Sequence, residues 1–257
     1  MQAKHVDLTD FQWQYIKKFF VNDRPTKYSS REMFNAIQWI TRAGTQWRNL
    51  DSRFPKWQSV YYYFRKWKRS GLIIQIIIEL TKIDRQEQGQ KPSPSLLAVD
   101  SQSIKVGTGI SIDKGIDGNK KINGRKRSIA VDIDGRIVAV YVGAANQHDG
   151  EAGLELLPKL TQFERLELFR GDSAYGKVFA EGAEIFGWIT DTIQNPPSKD
   201  RGFVPQKQRW QVERTFGWLN SYRRLSKDYE KDPRSSEAFI ALSYSNTILI
   251  RLHEYRL

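Results

Sequence analysis

The spacing of hydrophobic residues changes about one third of the way along the chain. Up to residue 82, apolar side chains recur at intervals of three and four residues, which predicts helices. The first helix follows the capping residues Thr9 and Asp10, a second ends near Gly44, and a third begins at about Ser59. The apolar run LIIQIIIEL predicts a further, buried helix, because about 20 residues are needed to span a membrane. The N-terminal part is therefore predicted to be all-helical.

A polar segment with two prolines, IDRQEQGQKPSPS at 83–95, marks a boundary. Beyond it, short apolar strands alternate with helices, and RSIAVDIDGRIVAVYVG is predicted to be a hairpin turning at Asp134 and Gly135. The last helix is predicted from about Ser235 to His253. This order is typical of an α/β domain with a mixed sheet. We therefore predict a helical module at 1–90 and an α/β domain at 91–257.

The charge of the chain points to a polyanionic partner. The formal net charge is +12, and residues 1–90 hold 16 Lys and Arg against 8 Asp and Glu. The absence of cysteine excludes disulfides, thiol catalysis and cysteine zinc sites. No N-terminal secretory pattern is present, so a soluble, intracellular protein is expected.

The predicted helix after Pro55 has one apolar and one basic face. Val60, Phe64 and Trp67 recur at helical spacing, and the other face carries Arg65, Lys66 and Lys68. Such a helix suits a helix-turn-helix module on DNA, in which cations hold phosphates beside aromatic side chains. A bundle helix with a solvated basic face accounts for the pattern equally well, so both interpretations stay open.

A second basic segment is KVGTGISIDKGIDGNKKINGRKR, residues 105–127. It is rich in glycine, and we predict a mobile loop that becomes ordered on DNA; a solvated loop without that role is the alternative. The pair His148 and Asp149 follows a predicted strand. A position near the candidate site is one interpretation, and the cap of the next helix is the favoured one. The candidate DNA contacts in the basic segment are Lys120, Lys121, Arg125, Lys126 and Arg127.

Two predicted strands run into an aspartate, LLAVD at Asp100 and LELFRGD at Asp172. The carboxyl ends of strands line the ligand crevice of an open α/β sheet, so the two side chains are candidates for one site. A third carboxylate, Glu213, lies among arginines and aromatics in RWQVERTFGWLNSYRR. Three converging carboxylates repel one another unless cations are present, and hard oxygen ligands favour Mg²⁺, with Mn²⁺ as a substitute. A pair of such ions suits phosphodiester displacement.

The helix of Glu213 admits a simpler interpretation. Arg209 lies four residues earlier on the same helix face, so the two side chains are also suited to a salt bridge. Val212, Phe216 and Leu219 form an apolar stripe that is predicted to dock on the sheet. The neighbouring cations Arg214, Arg223 and Arg224 extend a basic surface, which favours an anionic ligand beside the metal.

Seven segments in order resemble one known family, the bacterial insertion-sequence transposases of the DDE type with a ribonuclease-H-like catalytic domain. The segments are LTDFQWQYI, the stretch from RPTKYSS to YYYFRKW, LLAVDSQSIKVG, GNKKINGRKRSIAVDIDGRIV, ANQHDGEAG, GDSAYG and RWQVERTFGWLNSYRRLSKDYE. The resemblance implies that Asp100, Asp172 and Glu213 are the catalytic, metal-binding carboxylates and that Arg209 positions DNA phosphate. It also implies a dimer on double-stranded DNA, bound at element ends and target. The implied location is the bacterial cytoplasm, in association with the nucleoid.

The chain departs from the pattern of this family at three positions. Gln206 replaces a tyrosine that some relatives carry, Asn220 replaces a basic residue, and Ser128 stands where a histidine is expected. Two other functions remain possible at this level: a DNA-binding protein that has lost catalysis, and another nuclease on the same type of fold. The complete carboxylate set argues against the first, and the basic helical module argues against the second.

Overall fold

The computed structural model describes residues 7–20, 27–192 and 210–254. The chain forms two compact units, one of Met1–Gln90, Leu219–Ser226 and Ala238–Leu257 and the other of Lys91–Trp218 and Lys227–Glu237. The predicted domains at 1–90 and 91–257 differ from these units at the C-terminal end, where two stretches pack with the N-terminal residues. None of the helices in the described ranges has the length and apolar character needed to cross a membrane.

The first unit contains the predicted helices. They are α1 (Asp10–Ile16), α2 (Ser30–Ala43), α3 (Trp57–Arg69) and α4 (Leu72–Glu87). Capping boxes begin α1 at Thr9 and α2 at Ser29, and Gly44 ends α2 in the left-handed conformation, with φ of 71°. The connection from α2 to α3 spans residues 44–56, longer than the three or four residues of a typical helix-turn-helix.

Aromatic side chains fill the core of the first unit. Phe20, Phe34 and Trp67 are buried and their rings are in contact, and Phe64 stacks on Phe239 of the last helix with centroids 4.8 Å apart. The apolar run of α4 is buried through Ile73, Ile76, Ile77 and Leu80, as predicted. The C-terminal helix α8 (Pro233–Glu254) is therefore part of this core from residue 238 onwards.

The second unit is built on a mixed sheet of six strands. Their order is β2-β3-β1-β5-β6, with β4 also paired to β3, and β1 is antiparallel to β3 but parallel to β5. This mixed α/β sheet preceded by a helical module confirms the predicted ribonuclease-H-like fold class. The strands are β1 (Leu96–Lys105), β2 (Gly115–Asp117), β3 (Ile122–Val131), β4 (Ile137–Ala144), β5 (Leu168–Gly171) and β6 (Ile189–Thr192).

Three further helices belong to the α/β part: α5 (Asp149–Leu154), α6 (Val178–Ile185) and α7 (Trp210–Asn220). The turn of the predicted β3–β4 hairpin contains Gly135 with φ of 79° and holds α7 in place. The Thr215 hydroxyl donates to the Gly135 carbonyl at 2.8 Å, and Arg214 Nη2 donates to the Asp134 carbonyl at 2.6 Å. The predicted apolar stripe of α7 is buried, as expected for a docked helix: Val212, Phe216 and Leu219.

Two local predictions need correction. Asp100 does not end its strand, because β1 continues to Lys105 along β3; only the pairing with β5 stops before it. The segment 105–127 is not one long loop, because it contains β2 and the first half of β3. The glycines that suggested a mobile loop include Gly124, where a side chain would meet the carbonyl of Ile104 on the neighbouring strand.

Candidate active site

Asp100 and Asp172 occupy equivalent positions on neighbouring parallel strands. Ala98 of β1 pairs with Arg170 of β5, and each aspartate lies two residues beyond its member of that pair. Because side chains alternate along a strand, both aspartates fall on the face that this pair defines. Asp100 Oδ1 accepts a hydrogen bond from the Ser101 backbone N–H at 2.7 Å. Asp172 Oδ1 accepts one from the Ala174 N–H at 2.9 Å. Both side chains are half-buried, which leaves oxygen atoms for a ligand.

A third carboxylate near these two is Asp149, for which a place near the site was the less favoured of the two interpretations drawn from the sequence. The Tyr175 side chain is fully buried, and burial raises the pKa of its hydroxyl well above the ordinary value. The negative charges of Asp100, Asp149 and Asp172 raise that pKa further, so all three act on one hydroxyl. His148 does cap α5, its Nδ1 accepting from the Gly150 N–H at 3.2 Å. The only signal for Asp149 was its place directly after that cap.

Glu213, the third predicted carboxylate, lies on α7. It is exposed on α7 and, among the residues that the structure describes, has neither a hydrogen-bond nor an ion-pair partner. Within the described ranges, no three His, Asp or Glu side chains are arranged to hold one metal ion. Arg209 and Gln206 lie outside the described residues, and so does the predicted Arg209–Glu213 salt bridge.

The donor set at Asp100 and Asp172 fits a hard divalent cation. It consists of carboxylate oxygens on rigid strands, without the thiolates or imidazoles that favour softer metals. Asp149, by contrast, is already paired with the ammonium group of Lys126. Asp100 and Asp172 are therefore the residues of this site that are suited to a metal ion.

Some of the predicted DNA-binding cations are exposed or half-buried, and others are buried. Arg65 and Lys66 on α3 are exposed, and Lys68 is half-buried. In the second unit, Arg214 is half-buried between Trp210 and Trp218, with its guanidinium carbon 4.4 and 4.6 Å from the two ring centres. The remaining exposed cations of the predicted set are Lys120, Lys121 and Arg223.

Four residues of the predicted set are buried and are removed from the candidate DNA surface. Arg125 is fully buried and donates to the backbone carbonyls of four residues, Ile112, Asp113, Glu230 and Lys231. Lys126 donates to the Gln147 carbonyl and pairs with Asp149. The other two are Arg127, beside Asp228, and Arg224, which donates to the Thr45 carbonyl at 2.9 Å. Their charges are used inside the protein, so they do not face a phosphate backbone.

Ser128 is buried as well. It pairs with Ser101 across β1 and β3, and its hydroxyl has no hydrogen-bond partner among the described residues. The histidine that the resemblance leads one to expect at this position would have to fit inside the sheet packing. The departure at Ser128 is therefore a change in the interior of the second unit.

Comparison with protein families identifies the class. The model described as "Transposase DDE domain" matches residues 91–245, more than half of the chain. The chain therefore belongs to the DDE transposase family, and the resemblance drawn from the sequence is confirmed. Residues 8–77 match a second model, that of transposases of the IS4/5 family, which covers most of the helical module.

Individual relatives are distant. An uncharacterized protein, y4sN, of Sinorhizobium fredii is 25% identical over 79 residues, which are 29% of this chain, and the match spans 63% of that relative's length. The crystal structure of the Mos1 mariner paired end complex with Mn aligns over 95% of this chain and 84% of its own, at 12% identity and a TM-score of 0.29. The Mos1 strand transfer complex aligns over 90% and 79%, at 9% identity and a TM-score of 0.26.

Proposed function

We propose that this chain cleaves double-stranded DNA at the ends of an insertion element and transfers the freed strands to target DNA. The observation that carries the proposal is the matched placement of Asp100 and Asp172 two residues beyond a paired position on neighbouring strands. Family membership supplies the reaction class, and the net charge of +12 suits a nucleic-acid substrate. The proposed reaction is phosphodiester hydrolysis followed by transesterification.

Asp100 and Asp172 are proposed to hold the divalent cation, Mg²⁺ with Mn²⁺ as a substitute, and a pair of ions is the arrangement that suits this reaction. Such an ion lowers the pKa of a bound water and neutralises charge on the leaving oxygen. The strands contribute rigidity: β1 is held on both sides, and the Asp172 carboxylate is oriented by the Ala174 N–H. Holding the oxygens in place before substrate arrives removes an entropic cost from the reaction.

Glu213 is proposed as the third catalytic carboxylate. Its support is the motif that the resemblance identified, together with its exposure and lack of a partner in the described part of the chain. Hydrogen bonds from Thr215 and Arg214 to the hairpin turn hold α7 in place, so Glu213 lies on a well-anchored helix. Arg209 is proposed to position DNA phosphate beside it.

DNA is proposed to contact two groups of exposed cations, one on α3 and the other at Lys120 and Lys121. On α3, Val60, Phe64 and Trp67 are buried, which leaves the opposite basic face for phosphates. Arg214 and Arg223 are proposed as further contacts. A homodimer on DNA, with one active site for each element end, is the proposed assembly.

The experiment that tests the function is cleavage of a labelled duplex carrying the flanking element end. Cuts are expected at the element boundary with Mg²⁺ or Mn²⁺ and no cuts with EDTA, because the proposed reaction depends on the divalent ion. A duplex of the same length without the element end is the control. Metal-independent cutting, or equal cutting of both duplexes, would contradict the proposal; tight end binding without any cutting would favour a DNA-binding protein that has lost catalysis.

A second prediction concerns α3. Replacing Arg65, Lys66 and Lys68 together with alanine is expected to weaken binding to element-end DNA and to flatten its salt dependence. Each lost phosphate contact lowers the slope of log K against log salt by about 0.9. The measurement is fluorescence anisotropy with a labelled duplex over a range of salt concentrations.

The matched control for α3 removes equal charge from other helices of the same unit. Lys17, Lys18 and Lys82 lie on the turn after α1 and on α4, and replacing them with alanine leaves the basic face of α3 intact. If the two triple variants show the same salt slope, the effect is one of net charge and α3 is an ordinary bundle helix with a solvated face.

A further inference from the structure

Ser101 links two carboxylates of the second unit. Its backbone N–H donates to Asp100 Oδ1 at 2.7 Å, and its hydroxyl donates to Asp149 Oδ1 at 2.8 Å. Asp100 and Ser101 are adjacent in β1, so their side chains leave opposite faces of the strand. Asp149 therefore holds the side chain of Ser101, and the backbone N–H of Ser101 holds the candidate metal ligand Asp100.

Asp149 is itself held by a buried cation. Lys126 Nζ lies 2.5 Å from Asp149 Oδ1, and the exposed fractions of the two side chains are 8% and 26%. The same ammonium group donates to the Gln147 carbonyl at 2.6 Å, so its position on β3 is determined from two sides. An ion pair this well enclosed is costly to break, since either charge alone would remain buried without compensation.

The hydroxyl of Tyr175 lies within reach of the same groups. It is fully buried and close to Ser101, yet it has no hydrogen bond of ordinary geometry to a described residue. The carboxylates of Asp100, Asp149 and Asp172 all act on it electrostatically. The Tyr175 hydroxyl therefore lies among the same groups that Ser101 links.

We propose that Asp149, with Lys126 as its counter-charge, is a positioning residue for Asp100 and thereby for the divalent cation. The inference rests on the proposed function. Asp149 acts through Ser101, whose N–H orients Asp100 Oδ1, and Lys126 offsets the repulsion that a third carboxylate would add beside Asp100 and Asp172. Supporting groups of this kind orient the ligands of metal sites and tune their affinity. Lys126 thus has a role in the site, in place of the predicted DNA contact.

The test replaces Asp149 with asparagine, which keeps an oxygen for Ser101 and removes the charge that Lys126 neutralises. Binding of Mn²⁺ to the whole protein without DNA, followed by the electron paramagnetic resonance signal of free Mn²⁺, is expected to weaken about 10-fold or more. In cleavage assays kcat is expected to fall by a similar factor with KM for the duplex unchanged, because Asp149 orients a reacting group and does not hold DNA.

The matched control is Glu151→Gln. It removes the same charge two residues further along α5, where the side chain is exposed. Mn²⁺ affinity equal in Asp149→Asn and Glu151→Gln would overturn the inference. If Asp149→Asn does not fold, Ser101→Ala serves instead, since it breaks the link without changing charge. An unchanged Mn²⁺ affinity in Ser101→Ala would equally overturn it.

A cycle with Lys126→Met separates the charge pair from each residue alone. If the two residues act together, the double variant Asp149→Asn with Lys126→Met is expected to bind Mn²⁺ no more weakly than the single variant that has the lower Mn²⁺ affinity. Additive losses would overturn the role of Lys126. Failure of the proposed function gives a different result, because Asp100→Asn would then bind Mn²⁺ as the wild-type protein does. If only this inference fails, Asp100→Asn still lowers the Mn²⁺ affinity.

Discussion

Replacing Asp100 with asparagine is expected to reduce cleavage at the element end by roughly a thousandfold, the scale on which loss of a group acting on the reacting atoms is felt. The side chain keeps its size, so the hydrogen bond from the Ser101 N–H and the pairing of β1 with β3 remain. Binding of the duplex is expected to stay within about twofold, because no phosphate contact is removed. Gel-based cleavage and anisotropy on the same labelled duplex measure both quantities.

Glu213→Gln is the informative companion variant. Glu213 is exposed, so its replacement is expected to leave the melting temperature unchanged while cleavage falls as far as in Asp100→Asn. Glu87→Gln is a suitable control, because it makes the same change at an exposed glutamate of α4, an element that carries no residue of the proposed site. Full activity in Glu213→Gln would contradict a catalytic role for Glu213. Full activity in Asp100→Asn would contradict the proposed active site.

Replacing Asp228 with asparagine is expected to lower the free energy of unfolding by about 3–5 kcal/mol, the cost of leaving a buried charge without its partner. Asp228 is buried, lies 3.3 Å from Arg125 Nη1 and accepts from the Ser236 hydroxyl. Arg127 depends on it as well, because burial lowers the pKa of Arg127 to about 10 while Asp228 opposes that change. That pKa remains above neutrality, so two buried guanidinium groups lose their counter-charge together.

Urea unfolding followed by circular dichroism measures this effect, and an exposed ion pair provides the comparison. Arg170 Nε lies 3.2 Å from Asp191 Oδ2, and the Asp191 side chain is 52% exposed. Asp191→Asn is therefore expected to cost less than about 1 kcal/mol. Equal losses in Asp191→Asn and Asp228→Asn would mean that the Arg125–Asp228 network contributes no more than an ordinary surface pair.

Local patterns in the sequence predicted much of the fold. The cap at Thr9, the stop at Gly44 and the hairpin turn at Gly135 were all visible because each depends on a few neighbouring residues. The apolar stripe of α7 was visible for the same reason, since 3.6-residue periodicity identifies the buried face of a helix directly. These features need no knowledge of distant contacts.

The basic run GRKR could not be interpreted correctly from its own composition. Arg125, Lys126 and Arg127 were predicted to be DNA contacts in a mobile loop, because three cations in succession are usually exposed. Their partners are Asp149 and Asp228, one of them about 100 residues further along the chain, and only the folded sheet brings them together. The end of β1 was misplaced for a related reason, because polar residues after Asp100 are buried against internal partners.

The candidate site was predicted in part. The positions of Asp100 and Asp172 on neighbouring strands follow from strands of similar pattern, and the structure places them in matching register. A place for Asp149 near the site was not the favoured interpretation, because an acidic residue at the start of a helix is ordinarily explained by the helix itself. The placement of Glu213 with the two aspartates stays a prediction.

The path of the chain has a consequence for biosynthesis. The core of the first unit includes Phe239 and the rest of α8 from residue 238, which are synthesised after all six described strands of the sheet. While a chain emerges from the ribosome, helices α1 to α4 therefore have only part of their packing partners, whereas the mixed sheet is already complete by residue 192. A prematurely terminated chain retains the candidate carboxylates but lacks a finished helical module.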